Sequence, residues 1–146
     1  MIWDPAVRSS LASRIERLRP DAKPRWGKMN ANQMVLHCAQ GIEMMMGTYP
    51  VKRRSGPLRF PPLRYLIIHV FPFPKSAPTA PELIPPVDAG DFSANVARLQ
   101  KRIVELGERG PSGTYAEHPA FGRLSPETLG VLGQKHLDHH LKQFGV

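Results

Sequence analysis

Apolar residues recur at helical spacing along four stretches of the chain. Val7, Leu11, Ile15 and Leu18 share one face between Asp4-Pro5 and Pro20, with Asp4 suited to an N-cap and Pro5 to a first turn. Asn30 opens a second predicted helix with Met34, His37, Cys38, Gly41, Ile42 and Met45 on its inner face, and Gly47 ends it. Asp91 starts a third, striped by Phe92, Val96, Leu99, Ile103 and Leu106, with Gly107 or Gly110 near its end. Ser125-Pro126-Glu127 begins the last, where Leu129, Leu132, His136, His140 and Phe144 line the apolar side. No stretch alternates as a strand does. The expected class is all-α.

Residues 48–90 break this rhythm, holding ten of the sixteen prolines. Proline forbids a long uninterrupted helix and favours extended connections. Yet Phe60, Leu63, Tyr65, Leu66, Ile67, Ile68, Val70, Phe71 and Phe73 are too many large apolar groups for a disordered linker. An ordered crossover is expected, with a short helix at Leu63 to Phe71.

The 146 residues and 41% hydrophobic content suit one core and one domain, residues 1–146. Cys38 is the single cysteine, so no intramolecular disulfide and no Cys-rich zinc module can form. It fits a reducing, cytoplasmic setting. The N-terminal residues lack the basic start and apolar stretch of a signal peptide. The longest apolar run, Tyr65 to Phe73, contains His69 and Pro72 and is too short to span a bilayer, so no membrane partner is expected.

The net charge of +8 is concentrated. Residues 47–81 hold six basic side chains, Lys52, Arg53, Arg54, Arg59, Arg64 and Lys75, and no acidic ones. Such a surface can attract nucleic acid, acidic lipid or an anionic substrate. No zinc-finger spacing, RNA-binding aromatic signature or phosphate-cradling glycine loop accompanies it, which argues against nucleic acid.

The last helix carries the chemistry, in His136-Leu137-Asp138-His139-His140. Residues four apart lie on one helix face about 5–6 Å from each other, so His136 and His140 can converge on one metal ion. Both continue the apolar stripe and should point inward, whereas His139 should point to the edge. His37 is also on an inward face. Three inward histidines are costly to bury without partners, and one ion satisfies a nitrogen on each ring.

Trp26-Gly27-Lys28-Met29 through Gln33-Met34-Val35-Leu36-His37-Cys38 resembles the His-bearing second helix of the DinB/YfiT-like metalloenzyme superfamily. His118-Pro119-Ala120-Phe121-Gly122-Arg123-Leu124-Ser125-Pro126-Glu127 and the ending Lys135 to Val146 resemble an uncharacterised branch of it, a domain of unknown function. The resemblance implies a four-helix bundle with one long crossover and a divalent metal held by His37, His136 and His140. Relatives include bacillithiol- or mycothiol-dependent S-transferases, a mycothiol-dependent isomerase and hydrolases, and the quoted motifs specify none of these activities. Helix-bundle relatives often pair through a helix face, so a homodimer is expected.

Three neutral imidazoles leave a coordination position open and suit zinc, nickel or iron alike. The expected function is metal-dependent hydrolysis or thiol transfer on a small molecule, with a low-molecular-weight thiol as one partner. The alternative is a non-catalytic binding or stress-related module whose basic surface meets an acidic partner. Gln33 and Gln40 flank His37 by one turn and either approach the site or lie on the helix surface. Asp138 and Glu43 should face away from the ligands. Cys38 reads as a small buried hydrophobe, Met44-Met45-Met46 as core or interface, and His118 as part of a turn at Phe121. His69 and Tyr65 read as crossover core or surface.

Overall fold

The computed structural model describes residues 1–75 and 78–146. Among the described residues there are five α-helices: α1 (Pro5–Glu16), α2 (Ala31–Met46), α3 (Pro61–Tyr65), α4 (Phe92–Arg109) and α5 (Pro126–Gln143). Among the described residues there is no strand, only a bridge between His118 and Gly122.

The four long helices start where the caps place them. Asp4 accepts from the Ala6 amide, Asn30 from Gln33, Asp91 from Ala94 and Ser125 from Thr128, each satisfying an otherwise orphaned donor. At Asn30 the box is reciprocal, because the Gln33 side chain accepts from the Asn30 amide at 3.0 Å. Gly47 ends α2 in the left-handed conformation, φ 79°, which favours glycine. Two ends are shorter than the apolar stripes indicate. α1 stops at Glu16 although Leu18 stays buried, and Phe144 is the C-cap of α5 rather than a residue of it.

α1 packs on α4 and α5, and α2 packs on the same two helices, so α1 and α2 are diagonal in a four-helix bundle. Leu11 and Ile15 (α1), Met34, Val35 and Ile42 (α2), Leu99, Ile103 and Leu106 (α4), and Leu137 and Leu141 (α5) meet in the core, none more than 3% exposed. Each such side chain stabilises the fold by about 1.5–3 kcal/mol of transfer free energy. Met44, Met45 and Met46 are buried here as well.

The crossover is ordered over its described residues. Its helix begins two residues before the expected Leu63, because Pro61 and Pro62 occupy a first turn that needs no amide donors. It continues past Tyr65 as a π-helical turn, Leu66–Val70, closed by the Phe71 amide on the Leu66 carbonyl at 2.8 Å. The Lys135 ammonium of α5 donates to the carbonyls of Ile67, Ile68 and Phe71, tying down this wide turn. Ile68 packs with Phe121 and Leu132 in a second apolar cluster. These contacts dock the crossover on α5, a turn or so before His136.

Candidate metal centre

His37 comes from the middle of α2, and His136 and His140 from the second half of α5. Their ligand nitrogens lie within 4.8 Å of one another. The ring centroids are 4.9 Å apart for His37–His136, 4.8 Å for His37–His140 and 4.7 Å for His136–His140. His37 and His140 are buried, while His136 is partly exposed and forms the solvent side of the cluster.

Gly41, one turn beyond His37, permits this approach of α2 and α5. A Cβ there would sit 3.2 Å from Cε1 of His136, forcing the ring to give way.

Hydrogen bonds set the direction of two rings. His37 donates from Nδ1 to the Leu83 carbonyl at 2.7 Å, on the return leg of the crossover (the 3₁₀ turn Pro81–Leu83). That leaves Nε2 with a free lone pair, 3.0 Å from Nε2 of His136. His140 donates from Nδ1 to Oε1 of Gln143 at 2.9 Å, and Gln143 is oriented by its own donation to the Trp26 carbonyl at 2.6 Å. Acceptor nitrogens are thus turned toward one another. Neither the backbone carbonyl of Leu83 nor Gln143 was a candidate from the sequence, although an amide three residues beyond His140 is within reach of its ring.

Ions with Zn–N bonds near 2.0–2.1 Å hold tetrahedral ligands about 3.3 Å apart, close to the His37–His136 spacing. Carbonyl or amide oxygen on the far ring nitrogen is the usual companion of a metal-bound imidazole. The donor set therefore fits a divalent metal ion. It also contains no carboxylate.

Burial holds His37 below its ordinary pKa against the opposing Leu83 hydrogen bond. Burial and the neighbouring His140 and His37 hold His136 well below it. For His140, burial and His37 push the value down to about 3. All three rings are neutral at pH 7. His118, outside the cluster, is pushed down to about 4 by burial and Arg59. Its Nδ1 accepts from the amides of Ala120 and Phe121, both at 3.2 Å, so its role is the turn at Phe121.

An acid sensitivity follows for the metal-free protein. Unfolded histidine takes up a proton near pH 6.5, whereas these folded rings resist it, so stability falls as pH drops from about 6.5 toward 3. By about pH 5 the loss is on the order of 2 kcal/mol for each of His118 and His140. Melts of chelator-treated protein between about pH 7 and 5 test this, and an unchanged midpoint would contradict it.

The other sequence candidates fall outside the cluster or beside it. His139 is half-buried against Trp26 and Phe73, at 5.5 and 5.9 Å between centroids. Asp138 faces α1, pairing with Arg14 at 2.8 Å and Lys142 at 2.7 Å. Gln33 is spent on the α2 cap and on the Pro85 carbonyl at 2.8 Å. Gln40 is buried, and its Oε1 has no partner among the described residues. Helical side chains lean toward the N-terminus, which brings this amide toward the level of His37. Cys38 is buried, its thiol pushed up by burial and its S–H directed to the Met34 sulfur at 3.7 Å. His69 stacks on Tyr65 at 4.7 Å, exposed and away from the triad. Two surface cavities, of about 270 and 110 Å³, lie elsewhere, between α1 and α5 and beside His118.

Fold and site together define a helical-bundle protein with a three-histidine cluster that could hold a metal ion. The chain belongs to the family described as Protein of unknown function (DUF1569), whose model matches residues 8–145 and so covers all three histidines. No curated protein and no solved structure matches it.

Proposed function

We propose that this protein is a metal-dependent enzyme of the DinB/YfiT-like superfamily, acting on a small molecule by hydrolysis or thiol transfer. One observation carries the reading: three neutral imidazoles converge, and two of them have their far nitrogens committed to protein oxygens. A divalent ion held there would supply Lewis acidity and lower the pKa of a bound water or thiol. All-nitrogen ligation suits zinc, nickel or iron.

The chain's own groups have separate tasks in this reading. The Leu83 carbonyl and Gln143 keep Nδ1 of their rings protonated and Nε2 free. His136 marks the solvent side from which a small molecule approaches. Because His37, His136 and His140 are neutral and no carboxylate joins them, this ligand set would leave a divalent charge unneutralised and would favour an anionic substrate or thiolate. A low-molecular-weight thiol and a cytoplasmic setting belong to the same proposal.

The test is metal analysis of the purified protein beside His37→Ala, followed by assays of hydrolysis and of thiol transfer on the metal-loaded form. About one equivalent of a transition metal, lost in His37→Ala, is expected. Absence of stoichiometric metal from a protein refolded with zinc, nickel and iron in turn would overturn it.

Gln143→Leu should weaken zinc affinity about 10–100-fold in a chelator-competition titration, because His140 loses the acceptor that fixes its tautomer. Gln143→Glu keeps the acceptor for His140 but gives up the donation to the Trp26 carbonyl, and its affinity should fall between those of the parent and the Leu variant. Equal affinity of the Leu variant and the parent would remove Gln143 from the site.

A further inference from the structure

α3 and its π-helical continuation are apolar on both sides, which is the pattern of a helix covered all round. The inner side is covered, since Ile67 and Ile68 belong to the cluster with Phe121 and Leu132. The outer side is bare. Phe60, Tyr65, Val70 and Phe71 are 63%, 59%, 55% and 55% exposed, and Leu66 is exposed beside them.

Basic residues flank this helix along the chain, Lys52, Arg53, Arg54 and Arg59 before it and Lys75 after it. The backbone amide of Arg54 and the guanidinium of Arg59 both donate to the Pro119 carbonyl, and Arg64 donates to that of Phe121. Arg54 and Arg59 are paired with Glu82 and Glu117. Lys52, Arg53 and Arg64 have no ion pair among the described residues, and Lys75 lies over the Trp26 ring at 5.1 Å.

We propose that the outer face of α3, with the cations around it, docks on an anionic phospholipid surface. The charge selects this occupant over a second copy of the chain. A two-fold interface through this face would set the same cations against themselves. The aliphatic side chains of Leu66 and Val70 select lipid over nucleic acid, because they stack no bases. A basic segment with aromatic and aliphatic groups on its exposed side is the composition of an interfacial contact, which needs no spanning helix.

Co-sedimentation with vesicles tests the proposal. The full-length protein should pellet with phosphatidylcholine–phosphatidylglycerol vesicles, not with phosphatidylcholine alone, and added salt should release it. One basic side chain near such a surface is worth roughly fivefold in affinity, so Lys52→Gln with Arg53→Gln should cost roughly 30-fold. Tyr65→Glu with Val70→Glu should abolish pelleting, and Phe60→Ser with Phe71→Ser should weaken it. All three pairs lie on the surface and should leave the melting temperature and the zinc titration unchanged, which separates this proposal from the metal site. No pelleting with anionic vesicles would overturn it, as would pelleting indifferent to all three pairs. So would a dimer in light scattering that becomes monomeric in the Tyr65→Glu, Val70→Glu variant.

Discussion

Alanine at His136 or His140 should remove most of the thermal stabilisation expected from added zinc, and alanine at the intervening His139 should leave it nearly intact. A ligand present at about one hundred times its dissociation constant stabilises the native state by about 2.7 kcal/mol. For a domain of this length that is a rise of about 5–10 °C in melting temperature. His136 Nε2 faces His37 Nε2 at 3.0 Å, so its loss leaves two ligands and a third position filled only by solvent. His139 touches Trp26 and Phe73 instead. Its removal costs aromatic packing equally with and without metal, and so leaves the increment alone. The increment should persist as pH falls below about 6.5 and shrink only toward the depressed values of the folded rings, about 3 for His140, where protons begin to compete for the same nitrogens. Retention of the increment in His136→Ala together with its loss in His139→Ala would assign the wrong face of α5.

The helices and the triad were legible because both depend on local rules. Each of Asp4, Asn30, Asp91 and Ser125 caps its helix through its own side chain, and the period of 3.6 put His136 and His140 inward with His37 opposite. What surrounds the triad depends on contacts between distant segments. The acceptor for His37 is a backbone carbonyl 46 residues away, which no side-chain pattern encodes. α2 lies against α4, α5 and the return leg of the crossover at once, so nearly all its positions are buried. Periodicity assigns such a helix one inner face and so leaves Gln40 and Glu43 open or outward. The π-helical turn was likewise hidden, since Lys135, which supports it, comes from α5.

Glu43 is the buried charge of the α2–α4 seam, and Glu43→Ala should destabilise the fold by about 2–3 kcal/mol without touching zinc affinity. Its side chain is 4% exposed and accepts a two-pronged contact from Arg98 at 2.8 and 2.7 Å and a third hydrogen bond from Arg102 at 2.7 Å. Truncating one member of a fully buried ionic group costs about 3–5 kcal/mol, because the remaining charge has no partner. Here the loss is smaller, since Arg98 and Arg102 are 40% and 28% exposed and can turn to water. Arg98→Ala should cost less still, because Glu43 keeps Arg102. Burial raises the Glu43 carboxyl, and the hydrogen bonds and charges of Arg98 and Arg102 outweigh it, leaving the group below its ordinary value of 4.5. That stabilisation is complete above the unfolded value and disappears as pH falls through the folded one. The gap between parent and Glu43→Gln, measured by urea unfolding of chelator-treated protein, should therefore be widest near neutrality and close in acid. A gap that is absent at pH 7, or unchanged down to about pH 3, would show that the seam is held by its apolar contacts alone.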